Sequence, residues 1–283
     1  MIYQKLGLTG LNVSKIGFGG AAISGSSGGY SFGPISDRQA IALLEKAFEK
    51  GVNIFDTAPM YGFGNSEKLF GKFVKEKRDK VVISTKGGLG WHKSGQFTGR
   101  INHDNSPVNL IKMLDESLVR LKQDYIDIYF IHQPCGKHSL LSLLEELSRQ
   151  VEKGKIKTLG ICNIAIDDLA VLQHVEFPIV IQNKFNLLYN DIEVFAQAKK
   201  IGHGTISWGT FHQGLFTDNF KHSFDKADVR RKKTWFSQKE KAYKQQLVTT
   251  KSITSEAFNF VNSEENINCS LIGFSKMEYL NIL

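Results

Sequence analysis

Four residues of this 283-residue chain are of types that could run chemistry together: Asp56, Tyr61, Lys86 and His132. In "NIFDTAPMYGFGNSE" (residues 53–67) an apolar run stops on the Asp56 carboxylate, and the Tyr61 phenol follows five residues later in a loop with Gly62 and Gly64. "VVISTKGG" delivers Lys86 and "YIDIYFIHQP" delivers His132, each after a run of buried type. Taken singly, a carboxylate here caps a turn, a tyrosine packs, and a strand-end histidine hydrogen-bonds. Lys86 is the least ordinary, because a buried ammonium costs several kcal/mol unless it is paired. Together, on three successive strand ends, the four outweigh those structural readings.

Proton affinities say what the set could do. A free tyrosine titrates near 10, too weak an acid to protonate an alkoxide quickly at pH 7. A neighbouring cation favours the phenolate, so Lys86 is expected to lower that value, with Asp56 holding Lys86 charged and in place. His132 can hydrogen-bond a carbonyl oxygen and orient it. The set needs no metal and has no serine or cysteine nucleophile beside a base. It suits a general acid aimed at a carbonyl oxygen, with the electrons coming from elsewhere.

Such residues have to be presented by a scaffold. After an opening hairpin ("IYQKLG", then "LNVSKIG"), eight short apolar runs follow: Lys15–Phe18, Val52–Phe55, Val81–Ser84, Tyr125–Ile131, Ile156–Ile161, Pro178–Ile181, Thr205–Trp208 and Ser270–Ile272. Unbroken runs of this length suit strands buried on both faces of a parallel sheet. Between them the period is helical. Ser106 caps and Pro107 starts a helix whose stripe is Val108, Ile111, Leu114, Leu118 and Leu121. Residues 37–51 repeat the pattern from Asp37 through Ile41, Leu44 and Phe48 to a stop at Gly51, and further helices fall at 140–153, 167–174, 191–200 and 252–262. Eight strand–helix alternations without a linker predict one closed (β/α)8 TIM barrel over residues 1–283, with its chemistry at the C-terminal strand ends. The competing dinucleotide fingerprint, "GFGGAA" at 17–22, runs into a loop instead of a helix, and Asp56 lies 39 positions after Gly17 where about 20 are expected.

Composition bounds the rest. Hydrophobic residues are 41% and charged residues 23%, enough for a sizeable core. No apolar run approaches the roughly 20 residues of a membrane span, and the N-terminus is too mixed for a signal peptide. Three scattered cysteines argue against a disulfide framework or zinc site, so a cytoplasmic protein is expected. The net charge of +8 is concentrated in residues 221–251, which hold ten Lys or Arg against three Asp or Glu. Such a cluster could bind nucleic acid or an acidic membrane, but with no matching motif a solvated helix face is favoured.

The segments "GVNIFDTAPMYGFGNSEKLFGKF", "VVISTKGG", "YIDIYFIHQP", "GKIKTLGICN" and "IQNKFNLL" resemble, in order and spacing, those of the aldo-keto reductases. The resemblance covers essentially the whole chain. It implies a (β/α)8 barrel that uses NADP(H), with NAD(H) as an option, to reduce aldehydes and ketones or to oxidise sugars and alcohols in reverse. It makes Asp56, Tyr61, Lys86 and His132 the catalytic tetrad, with Tyr61 as proton donor. It places Asn163 and Gln182 on the nicotinamide carboxamide with Cys162 beside them as a weaker donor, Trp208 on the nicotinamide ring, Gly214 and Leu215 by the pyrophosphate, and Gly273, Ser275 and Lys276 by the adenosine phosphate. Three departures stand out: Cys162 where a serine is common, "SWGTF" (207–211) in place of a frequent Ser-Pro, and a C-terminus at Leu283 that is short for the family. The first and third favour a rival reading, a cofactor-binding accessory protein with little turnover; the intact tetrad opposes it. Loops such as "GGYSFG" (28–33) and "WHKSGQFTGR" (91–100) would line the pocket of a small carbonyl or sugar substrate.

Overall fold

The computed structural model describes residues 1–26, 29–91, 101–220, 223–226, 228–231, 235–247 and 252–283, with residues 91 and 101 described by their backbone alone. Of the loop expected at 91–100 all but residue 91, together with Gly28 of the loop expected at 28–33 and parts of the basic stretch (221–222, 227, 232–234, 248–251), lie outside the described residues.

The chain opens with a hairpin of β1 (Tyr3–Lys5) and β2 (Asn12–Ser14), then enters β3 (Ile16–Gly19), α1 (Asp37–Glu49), β4 (Ile54–Asp56) and α2 (Asn65–Phe73). It continues through β5 (Val82–Gly87), a small hairpin of β6 (Leu89–Trp91) and β7 (Ile101–His103), α3 (Pro107–Leu121), β8 (Ile126–Ile131) and α4 (Leu140–Glu152). Then come β9 (Ile156–Cys162), α5 (Ile166–Leu172), β10 (Val180–Lys184), α6 (Glu193–Lys200), β11 (Gly204–Trp208), α7 (Gln238–Leu247), α8 (Ile253–Asn262) and β12 (Cys269–Ile272). Strands β3, β4, β5, β8, β9, β10, β11 and β12 close, in that order, into a parallel barrel. The seam pairs Ser270 with Ile16 and Ile272 with Phe18. Each of the eight expected runs is a barrel strand, shifted by no more than about two residues at most ends.

Local chemistry explains the helix starts. Ser36 caps α1, accepting from the Gln39 amide while the Gln39 side chain returns to the Ser36 amide. Ser106 caps α3, with Pro107 at its first position. Two helices were not legible as periodic stretches. Helix α2 starts from Gly64 at φ 84°, with no side-chain cap to announce it, and α7 lies inside the basic stretch with Glu240 as its buried residue.

The interior is filled from one end. Ile54, Val82, Ile128, Phe130, Val180, Ile206 and Leu271 form the inner cluster, and Leu6 and Val13 of the hairpin pack into the same cluster. The Leu8 amide donates to Gly202 O at 2.9 Å, fastening the hairpin across that end. A second, larger cluster lies between strands and helices. Polar chemistry is thereby left to the opposite, C-terminal end of the strands. Among the described residues no helix is long and apolar enough to cross a membrane.

One glycine sets the fit of the inner layer. A Cβ at Gly160 would stand 2.4 Å from ring carbons of the fully buried Phe130 and 2.8 Å from Val180 O. Gly160→Ala is therefore expected to destabilise the fold by about 1–3 kcal/mol, the usual range for overpacking. A urea titration that gives an unchanged midpoint would contradict this packing.

Candidate active site

Strand register brings the first two charged groups together. Asp56 ends β4 opposite Ser84 of β5, and Lys86 is two residues further along β5, on the same face. Lys86 Nζ lies 2.6 Å from Asp56 Oδ2 and donates to Thr57 O at 2.9 Å. Ser84 Oγ donates to Asp56 Oδ1 at 2.7 Å, and Gln182 Nε2 reaches the same oxygen from across the barrel at 3.1 Å. Lys86 is 2% exposed and Asp56 3%, so this is a buried pair with its remaining hydrogen-bonding capacity largely used. Burial works against the Lys86 charge, but the Asp56 carboxylate and the Tyr61 oxygen outweigh it and hold the ammonium above the ordinary lysine value.

Tyr61 and His132 close the group. Lys86 Nζ is 5.4 Å from the Tyr61 ring centroid, and the Tyr61 and His132 rings meet edge-on at 6.4 Å. Burial pushes the Tyr61 phenol up, Lys86 pulls it down, and the balance leaves it at about 12. This corrects the sequence expectation: the lysine acts in the expected direction, but burial of the phenolate outweighs it. Burial, then the charge of Lys86, then His103 hold His132 well below the ordinary histidine value. The imidazole is neutral at pH 7.

Beside them runs a cleft of about 780 Å³. Its wall includes all four residues together with Asn163, Gln182, Trp208, Gly214, Gly273, Ser275 and Lys276. Asn163, at φ 58°, donates to His132 O at 3.0 Å and accepts from Trp208 Nε1 at 3.1 Å. The two remaining sequence candidates do not line it. Cys162 is buried behind Gln182, its thiol donating to Gln182 Oε1 at 3.3 Å, and burial raises its pKa. Leu215 is 1% exposed and packs with Phe216 and Phe236 in a separate cluster.

The loop expected to line the pocket at 28–33 does so through Tyr30, Phe32 and Gly33, but several contacts in and beside the cleft were not foreseen. Tyr30 forms a bridge with Tyr61: its amide donates to Met60 O at 2.9 Å, and Gly62 N donates to Tyr30 O at 3.3 Å. No local pattern connects two tyrosines so far apart in the chain. Arg230, noted only as part of the basic stretch, turns inward. Its Nη1 donates to Gln213 O at 2.9 Å, and its guanidinium lies 4.8 Å from the Phe32 ring. Ser84 had a usable signal, since it shares the face of Lys86 two residues away. Thr210 Oγ1 is buried without a partner among the described residues.

The family model described as "Aldo/keto reductase family" matches residues 15–281. The chain is 32% identical over 236 residues to the aldo-keto reductase YhdN of Bacillus subtilis, spanning 81% of this chain and 69% of that protein. It is 31% identical over 244 residues to the NADH-specific methylglyoxal reductase of Escherichia coli, spanning 82% and 74%. The solved glycerol dehydrogenase AKR11B4 of Gluconobacter oxydans superposes with a TM-score of 0.80 at 27% identity, covering 97% of this chain and 86% of that one.

The buried pair generates a direct expectation. Lys86→Met leaves the Asp56 carboxylate uncompensated and should cost about 3–5 kcal/mol of stability, most of it recovered in the double variant with Asp56→Asn. Equal unfolding midpoints for wild type and Lys86→Met would show that the pair is not coupled.

Proposed function

We propose a function from one premise: the chain belongs to the aldo/keto reductase family. It is an oxidoreductase of the nicotinamide-dependent kind, acting on carbonyl or sugar substrates. Beyond that, the reading is an enzyme that reduces a small polar aldehyde or ketone, or runs in reverse on the alcohol, with Tyr61 exchanging the proton. The observation that carries it is the convergence of a phenol, an ion-paired ammonium and a neutral imidazole on one wall of the cleft. The relatives' names, methylglyoxal reductase and glycerol dehydrogenase, fit small polar substrates. Because the relatives carry enzyme names, the accessory-protein alternative is not favoured.

The donor set suits a nicotinamide dinucleotide. Amide side chains of Asn163 and Gln182 and the indole of Trp208 border the cleft near the tetrad, while Gly214, Ser275 and Lys276 border it elsewhere. Gln182 and Asn163 each use one amide hydrogen and one carbonyl lone pair within the protein, so each keeps a donor and an acceptor for the carboxamide, and Trp208 would offer its ring face. When bound, the nicotinamide supplies the hydride. The chain's own residues do the rest. His132, neutral, orients the carbonyl oxygen toward Tyr61. The Tyr61 hydroxyl gives that oxygen its proton as charge develops, and the Lys86 ammonium stabilises the phenolate left behind. Asp56 keeps the ammonium in place.

NADP(H) is the proposed cofactor, with NAD(H) also accepted, because Lys276 at the cleft edge offers a cation to a ribose phosphate. The Lys276 Nζ–Glu278 pair at 3.2 Å competes for that charge and keeps the preference modest. The three free cysteines fit the proposed reducing, cytoplasmic setting.

Tyr61→Phe should lower carbonyl reduction by about 10²–10⁴-fold while NADPH binding, read by fluorescence, is retained. In wild type the reverse oxidation needs the phenolate, so below the raised value of Tyr61 its rate should climb about tenfold per pH unit, a slope the variant lacks. Full activity in Tyr61→Phe would remove the phenol from the mechanism. Separately, Lys276→Ala should raise KM for NADPH about fivefold and leave KM for NADH within about twofold, the size of one exposed ion pair. Equal shifts for both nucleotides would dissociate Lys276 from the phosphate.

A further inference from the structure

Helix α7 is attached in an unusual way. Its buried residue is a carboxylate, Glu240, followed on the same face by the partly buried Tyr243 and Leu247. Glu240 Oε2 accepts from the Ser237 amide at 2.6 Å, and the Glu240 amide donates to Ser237 Oγ at 3.2 Å, so the glutamate closes the helix's own N-terminal box. Its other oxygen faces the barrel. Glu240 Oε1 accepts from Tyr189 Oη at 2.9 Å and lies 2.7 Å from His212 Nε2. One carboxylate thus joins the start of α7, the loop after β10 and the loop after β11.

The last of these loops borders the cleft. Thr210, Phe211, Gln213 and Gly214 line it, whereas His212 is 3% exposed and turned to the other side. His212 and Gln213 are non-glycine residues at φ 45° and 51°, followed by Gly214 at 93°. Left-handed backbone in a non-glycine residue is strained and persists only where surrounding contacts over-determine it. Those contacts are present. Asn186, fully buried, donates to Gly209 O at 2.9 Å and accepts the Tyr189 amide at 3.1 Å, tying the first part of the loop to the same tyrosine. Arg230 holds Gln213 O from the cleft side, and Glu240 holds His212 from behind. Burial, then the charge of Lys184, outweigh Glu240 and leave His212 at about 4, so the imidazole is neutral at pH 7 and donates from Nε2. Burial would raise Glu240, but the Ser237, Tyr189 and His212 hydrogen bonds outweigh it and take it down to about 2. The latch is ionised and intact across the physiological range.

We propose that Glu240 is a positioning residue for the nucleotide: through His212 it sets the left-handed turn 212–214 that forms one wall of the cleft, without itself touching ligand. The proposal rests on the reading of the cleft as a dinucleotide site, and it places part of that site's shape under the control of a helix outside the barrel.

The test compares nucleotide dissociation constants with kinetics. Glu240→Ala should raise the Kd for NADPH about tenfold or more, while kcat at saturating nucleotide and KM for the carbonyl stay within about twofold of wild type. Tyr243→Phe is the control. It removes another α7 anchor, the hydrogen bond from Tyr243 Oη to Leu187 O at 2.9 Å, without touching His212, and should leave Kd unchanged. Glu240→Gln preserves volume and carries the test should the alanine variant not fold; a rise of about threefold is expected. A Kd equal to wild type in the folded glutamate variant, or an equal rise in Tyr243→Phe, overturns the proposal by reducing Glu240 to a helix anchor. Wild type failing to bind either nucleotide would instead sink the proposed function.

Discussion

A lysine and an aspartate, both buried at the mouth of a parallel barrel, are the constraint around which this molecule is arranged. Neither charge is tolerable there alone, because desolvation costs several kcal/mol per ion and is recovered only with close pairing and full hydrogen bonding. Adjacent strands in register supply the pairing, with Asp56 opposite Ser84 and Lys86 two residues on. The hydrogen bonding extends farther. Gln182 comes from β10, which is not a neighbour of β4, so the network reaches across the barrel and depends on closure. An open sheet with the same strands would leave that oxygen without its partner from across the barrel.

The same burial sets the proton affinities of the site. It pushes the Tyr61 phenol up more than Lys86 draws it down, and it keeps His132 neutral. The phenol therefore enters any proton transfer as the acid form at neutral pH. The lysine's effect matters most as charge develops on the phenol oxygen, because a nearby ammonium in a dry site stabilises a forming anion more than a resting dipole.

Around this centre the barrel's two ends are treated differently. One is sealed by the N-terminal hairpin through Leu6 and Val13. The other carries loops held by polar side chains: Asn186 on Gly209, Glu240 on His212 from behind, and Arg230 on Gln213 from the cleft side. Hydrogen bonds suit this end because they fix the direction of a turn, which apolar packing does not. Part of the basic stretch is accounted for here, since Arg230 points inward and Glu240 anchors a helix that is otherwise mostly solvated.

The sequence by itself determined the strand positions, most of the helices and the identity of the four residues at the cleft's inner wall. Those features are written in local periodicity and in polar residues that end apolar runs, and both survive without knowledge of distant partners. It did not determine the helix beginning at Asn65, whose left-handed Gly64 start has no cap residue. It also misjudged the balance of proton affinity at Tyr61, because burial is a property of the whole packed barrel and not of the neighbours in sequence. The contacts that decide the cleft's shape, Tyr30 with Tyr61 and Glu240 with His212, span tens of residues with no motif between them. Only the closed fold brings such pairs within hydrogen-bonding reach, since local pattern specifies an element and its buried face but not which loops meet over its end.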